Sequence, residues 1–106
     1  MIYELREYTA VPGMLPRLVK RFNEHTLRLF AKHGMEVAFI GHTAFGEDSV
    51  NELVYALKFT SYADIEEKWN TFLGDPEWLE AKAASEADGP LITAVRRRVI
   101  NPAMFQ

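Results

Sequence analysis

Cysteine does not occur among the 106 residues, which removes disulfides, thiolate metal sites and cysteine nucleophiles from the candidates and fits a reducing compartment. Long apolar runs are missing too. None approaches the ~18 residues that a membrane-spanning helix needs, and the opening residues lack a basic stretch followed by an apolar core and a small-residue cleavage site. The expectation is a soluble, cytoplasmic protein without a membrane span. Nor is charge of one sign gathered anywhere: the formal net charge of −3 is spread along the chain. The one basic run, Arg96-Arg97-Arg98, lies in a strand-like segment whose neighbours point to opposite faces, so nucleic acid is not expected as a partner. Phosphate loops and nucleophile elbows are absent, with Gly41 and Gly46 isolated and Ser49, Ser61 and Ser85 explained by a turn, a cap and a helix surface. His25, His33 and His42 have no i, i+4 spacing, and Gly34 interrupts the one His-x-x-Glu pair, His33 and Glu36. No metal site and no cofactor are expected.

What is present reads as one domain over residues 1–106, long enough to bury roughly two thirds of its unfolded-chain surface. Tyr3 to Gly13, YELREYTAVPG, is a strand running into a Pro-Gly turn. Leu15, Leu18, Val19, Phe22, Thr26, Leu29 and Phe30 then recur at helical spacing, with Pro16 in the first turn and Gly34 as the stop. Met35 to Phe45 is a second strand, Gly46-Glu47-Asp48-Ser49 a turn, and Glu52 to Phe59 a third strand. Ser61 and Asp64 open a helix with Tyr62, Ile65, Trp69, Phe72 and Leu73 on its buried stripe. Asp75-Pro76 restarts a helix that Asp88-Gly89-Pro90 ends, and Leu91 to Ile100 is the last strand. The order is β-α-β-β-α(α)-β, an α+β arrangement with helices on one face of a four-stranded antiparallel sheet.

The first strand poses a question of orientation. One row carries Ile2, Glu4, Arg6 and Tyr8, the other Tyr3, Leu5, Glu7 and Thr9. Since a core row does not ordinarily accept Glu4 and Arg6, the expectation is that Tyr3, Leu5, Phe39, Tyr55, Leu57, Phe59, Val95 and Val99 face the helices. The open face then presents Glu4, Arg6, Ile40, His42, Val54, Ala56, Arg96 and Arg98, about half of that face being apolar. Such a patch marks an interaction surface, and a second copy of the same sheet, packed face to face in a homodimer, answers it.

The phrases IYELREYTAVPG, RFNEHTLRLFAKHG, NELVYALKF and DPEWLEAKAASEADGPL together resemble the NIPSNAP-domain family of the dimeric α+β-barrel superfamily, in order and over essentially the whole chain. The resemblance implies a ferredoxin-like protomer and a dimer closed through its sheets. Related α+β-barrel families include cofactor-independent monooxygenases, haem-degrading enzymes and small isomerases, which mostly place the ligand between sheet and helices. Where many relatives carry a tryptophan in the second strand and a His-Trp pair in the third, this chain has Phe39, Gly41 and His42, then Tyr55 and Leu57.

His25 follows Phe22 by three residues and precedes Leu29 by four, so it borders the helix stripe and is the candidate proton-transfer residue for a helix–sheet cleft. Tyr3, Phe39, Tyr55 and Trp69 are the candidate ligand-binding residues: aromatic walls with hydroxyl and indole donors suit a small apolar or aromatic ligand. Two readings stay open. One is a small-molecule enzyme performing proton transfer, isomerisation or oxygenation; the other is a non-catalytic dimeric interaction module whose aromatics merely fill its core.

Overall fold

The computed structural model describes residues 1–47 and 49–105; of the turn expected at Gly46–Ser49, Asp48 lies outside the described residues. The elements run β1 (Ile2–Ala10), α1 (Leu15–Arg21), a π-helical segment (Phe22–Thr26), α2 (Leu27–Lys32), β2 (Glu36–His42), β3 (Glu52–Phe59), α3 (Tyr62–Leu73), α4 (Pro76–Ser85) and β4 (Ile92–Ile100). The strands form one sheet in the order β2-β3-β1-β4, antiparallel at every pairing. This is the expected α+β, ferredoxin-like fold. Its shortest dimension is 18 Å, the thickness of one sheet and one helical layer. Among the described residues no helix is long and apolar enough to cross a membrane.

Local chemistry sets the helix starts as the sequence predicts. The Asp64 amide donates to Ser61 Oγ at 3.1 Å, and the Asp64 carboxylate accepts in return from the Thr60 amide at 3.0 Å, one residue before the cap. Asp75 caps α4 by accepting from the Glu77 amide at 2.9 Å, with Pro76 in the first turn. The same carboxylate takes Lys32 Nζ at 2.8 Å and His33 Nε2 at 2.7 Å, joining the end of α2 to the start of α4. Those partners, Lys32 foremost, hold the Asp75 carboxyl well below the usual carboxylate range.

The faces of two strands differ from expectation. On β1 the row Ile2, Glu4, Tyr8 and Ala10 is buried under the helices, and Arg6 shares that side, stacked on Trp69. Tyr3 and Leu5 therefore lie on the open face, opposite Lys58 and Ala56. A charged pair occupies a core row when the buried charge is compensated, and here the Glu4 carboxylate accepts from three donors. On β2 the register slips between Val37 and Phe39. The extra residue reverses the parity, so Phe39 turns to the open face, where it is 55% exposed, while Ile40 and His42 turn inward, opposite Tyr55 and Leu53. β3 keeps its expected sides: Leu53, Tyr55, Leu57 and Phe59 are in the core, with Val54 and Ala56 behind them.

Aromatic rings fill the layer between sheet and helices. Tyr8, Phe22, Phe30, Tyr55, Trp69, Phe72 and Trp78 form a connected series of ring contacts. Each adds roughly 0.5–1.5 kcal/mol of ring–ring interaction to its burial.

Candidate functional site

A hydrogen-bonded row crosses three strands beneath the helices. Glu4 is fully buried. Its carboxylate accepts from Trp69 Nε1 at 2.5 Å, from Arg6 Nη1 at 3.2 Å and from Arg97 Nε on β4. Arg6 in turn donates from Nε to the Tyr8 hydroxyl at 3.1 Å, and its guanidinium carbon lies 4.4 Å from the centre of the Trp69 ring. The Tyr8 and Tyr55 hydroxyls are 2.6 Å apart. Burial, reinforced by Tyr8, pushes the Tyr55 phenol well above its ordinary value. For Arg6 burial works against the charge, but Tyr55, Tyr8 and Glu4 outweigh it and the guanidinium is held above its usual value.

Between this row and the helices opens a cleft of about 440 Å³. Its sheet side is Arg6, Tyr8, Tyr55 and Val95; Phe22, Thr26, Phe30, Trp69, Phe72 and Trp78 come from the helices, and Pro90 to Ala94 close one end. It stays open because the helices leave the edge strand uncovered: Val95 and Val99, on the helix side of β4, are 47% and 39% exposed. A second groove shares Arg6, Trp69 and Leu73 with the first and continues to Tyr62, Arg97 and Val99.

The structure brings Tyr55 and Trp69 together in this cleft, as the sequence predicts. Tyr3 and Phe39 are on the opposite face of the sheet, through the β1 orientation and the β2 bulge. His25 is a correction as well. The Leu27 amide donates to the Phe22 carbonyl five residues back, a wide turn that puts Thr26, not His25, one turn beyond Phe22. Thr26 is buried and lines the cleft. His25 sits in a surface groove with Lys20, Glu24 and Asp88, its Nε2 3.8 Å from Glu24 Oε2. Of the residues expected on the open face, Val54, Ala56, Arg96 and Arg98 are there. Glu4 and Arg6 belong to the row above, and Ile40 and His42 border a small groove of about 210 Å³ beside Phe22 and Leu27.

Arg21 and Tyr8 are residues that sequence reasoning missed. The Arg21 side chain is 3% exposed, with Nη1 donating to Glu86 at 2.9 Å and to Ser85 at 3.2 Å. Its position three residues after Leu18 and one before Phe22 is the signal that marks it as part of the buried stripe. Among the described residues no three His, Asp or Glu side chains converge as a metal site would require.

A cleft bounded by a sheet, two helical arms and an aromatic wall narrows the comparison to small α+β proteins. The NIPSNAP family model matches residues 3–106. The chain belongs to the NIPSNAP family. Among solved structures it is similar to a NIPSNAP family protein of unknown function from Agrobacterium tumefaciens, with 26% identity, a TM-score of 0.84, and coverage of 100% of this chain and 91% of that one. An uncharacterised NIPSNAP-like domain protein from Burkholderia xenovorans also superposes with a TM-score of 0.84, at 19% identity over 99% of this chain and 87% of that one. Beyond the NIPSNAP proteins, the fold is shared with SnoaB, a cofactor-independent oxygenase from Streptomyces nogalater, at 17% identity, a TM-score of 0.60, and coverage of 94% of this chain and 90% of that one. No curated protein matches the chain.

Proposed function

We propose that this NIPSNAP protein handles a small, largely apolar molecule in the cleft between its helices and sheet, and that it works as a cytoplasmic homodimer. The observation that carries the reading is the cleft itself: about 440 Å³, within the range that small-molecule sites occupy, with aromatic walls and a few fixed polar groups. A Leu and Val core would need neither the Arg6–Tyr8–Tyr55 row nor two tryptophans beside it. The chemistry we assign is cofactor-independent: proton transfer, isomerisation or oxygenation of the bound molecule. Fold likeness to SnoaB supports that class by analogy. With His25 outside the cleft, the cleft-lining groups we assign to act on a ligand are Arg6, Tyr8, Tyr55 and Thr26.

The open face of the sheet supports the second copy. Phe39 and Ile100 are 55% and 44% exposed there, and Tyr3, Leu5 and Val54 are half-buried beside them. Glu7 on the same face holds Oε1 3.5 Å from Arg98 Nη2, but that oxygen is buried without a hydrogen bond.

Native mass spectrometry on the protein as purified tests both parts. The expected result is a dimer that carries a reproducible added mass, lost in Trp69→Ala and retained in His25→Ala. A bare dimer would favour a non-catalytic interaction module, and a monomer would overturn the assembly.

A further inference from the structure

We infer that the molecule taken by this cleft is an organic anion, an apolar body bearing a carboxylate, and that Arg6 binds its charge; the inference rests on the reading of the cleft as a small-molecule site. Charge distribution is the first ground. The cleft walls carry Arg6, Arg21 and Lys82 against one carboxylate, Glu86, in a chain whose formal net charge is −3. Glu4 does not cancel the excess, because Arg6 and Arg97 share it. An acidic protein that concentrates cations around one apolar recess focuses anions there and repels them elsewhere.

Donor accounting is the second ground. Arg6 commits Nε to Tyr8 and Nη1 to Glu4. No hydrogen bond among the described residues engages its Nη2, and the side chain keeps 17% exposure at the place where the two grooves meet. Arg21 commits Nη1 to Ser85 and Glu86, yet its Nε is buried with no acceptor. A desolvated donor of this kind is costly unless an acceptor reaches it. Both residues line the same cleft, but the Arg21 side chain is 3% exposed against 17% for Arg6, so the donor within reach of a ligand is on Arg6.

Preorganisation is the third. Glu4, Tyr8 and the Trp69 ring fix the plane of the Arg6 guanidinium before any ligand arrives, so little side-chain freedom is lost on binding. A fixed, planar, charged donor suits a carboxylate better than a neutral carbonyl. The neighbouring Phe30, Phe72 and Trp78 supply the apolar surface that the rest of such a molecule needs.

The test is a matched pair of probes, 2-naphthoate and 2-naphthamide, titrated by calorimetry into the full chain, into Arg6→Gln and into Arg6→Lys. The wild type is expected to bind the carboxylate about tenfold more tightly than the amide, the size of one charge-assisted hydrogen bond. Arg6→Gln is expected to abolish that preference while still binding the amide, and Arg6→Lys to keep part of it. Equal affinity of the wild type for both probes would overturn the anion inference and leave the cleft reading standing. A preference that survives intact in Arg6→Gln would overturn the role of Arg6. If neither probe binds at about 1 mM, the cleft reading fails and the inference with it. Should Arg6→Gln lose its near-ultraviolet circular dichroism, the wild-type pair and Arg6→Lys decide the outcome.

Discussion

Removing the Glu4 carboxylate would leave Arg6, Arg97 and the Trp69 indole without the acceptor they share. Breaking a buried pair from one side costs about 3–5 kcal/mol, so Glu4→Ala is expected to unfold at a much lower urea concentration than the wild type. A midpoint within experimental error of the wild type would show that the row is not a structural unit. Tyr55 gives a pH signature. Its phenol is raised by burial first and by Tyr8 next, so the folded state keeps the proton when the unfolded chain gives it up. That contribution is present below about pH 10 and is lost as pH rises beyond it. Urea midpoints for the wild type are therefore expected to fall above about pH 10, and those of Tyr55→Phe to fall less. The same residues show what single-residue reasoning missed. Glu4 and Arg6 were expected outside because charge is costly to bury, a rule that holds for isolated groups. Their partners come from Trp69, 65 residues further on, and Arg97, 93 further on, and no local pattern on β1 announces them.

Elements were legible where the signal was local. The Ser61 and Asp75 caps, the β3 boundaries and the alternation along β3 match the structure because a few adjacent residues determine each. The π segment and the β2 bulge were not, since each inserts one residue into a regular repeat and the sequence holds nothing that marks the insertion. Deletion of the exposed Glu24 tests the first. It would restore regular helical spacing, with Leu18, Phe22, Thr26 and Phe30 still on one stripe. The variant is expected to keep a cooperative thermal transition, whereas deletion of Glu67 in the regular α3 displaces Trp69 and Phe72 and abolishes it. Equal damage from both deletions would mean that the π turn is not a spare residue. The α2–α4 link has its own acid dependence. Asp75 is depressed in the folded state by Lys32, His33 and the Glu77 amide, so its contribution is present above about pH 4 and is lost as pH falls below that. Asp75→Asn is expected to lower the urea midpoint at pH 7 and to flatten its fall in acid.

At the scale of the molecule, the helix-covered sheet was readable from the order of elements, and the family from four phrases spread along the chain. Which residues join Tyr55 and Trp69 in the cleft was not, because that depends on strand parity and on an edge strand that the helices leave bare. The assembly is open to a direct test: Val54→Arg places a charge in the middle of the open sheet face and is expected to convert a dimer to a monomer by analytical ultracentrifugation, and an unchanged dimer would place the interface elsewhere. The Arg6 row constrains how such a protein changes over generations. Arg6 closes the account of Glu4 and Tyr8 and also borders the cleft, so under the proposed reading of the cleft no substitution at that position would alter ligand preference alone. A lineage that exchanges one ligand for another must either keep Arg6 and vary the helical wall, at Thr26, Leu73 or Trp78, or replace Glu4, Arg6 and Arg97 together. Drift in specificity is thereby channelled into the helices, while the strands that hold the charged row change as a set or not at all.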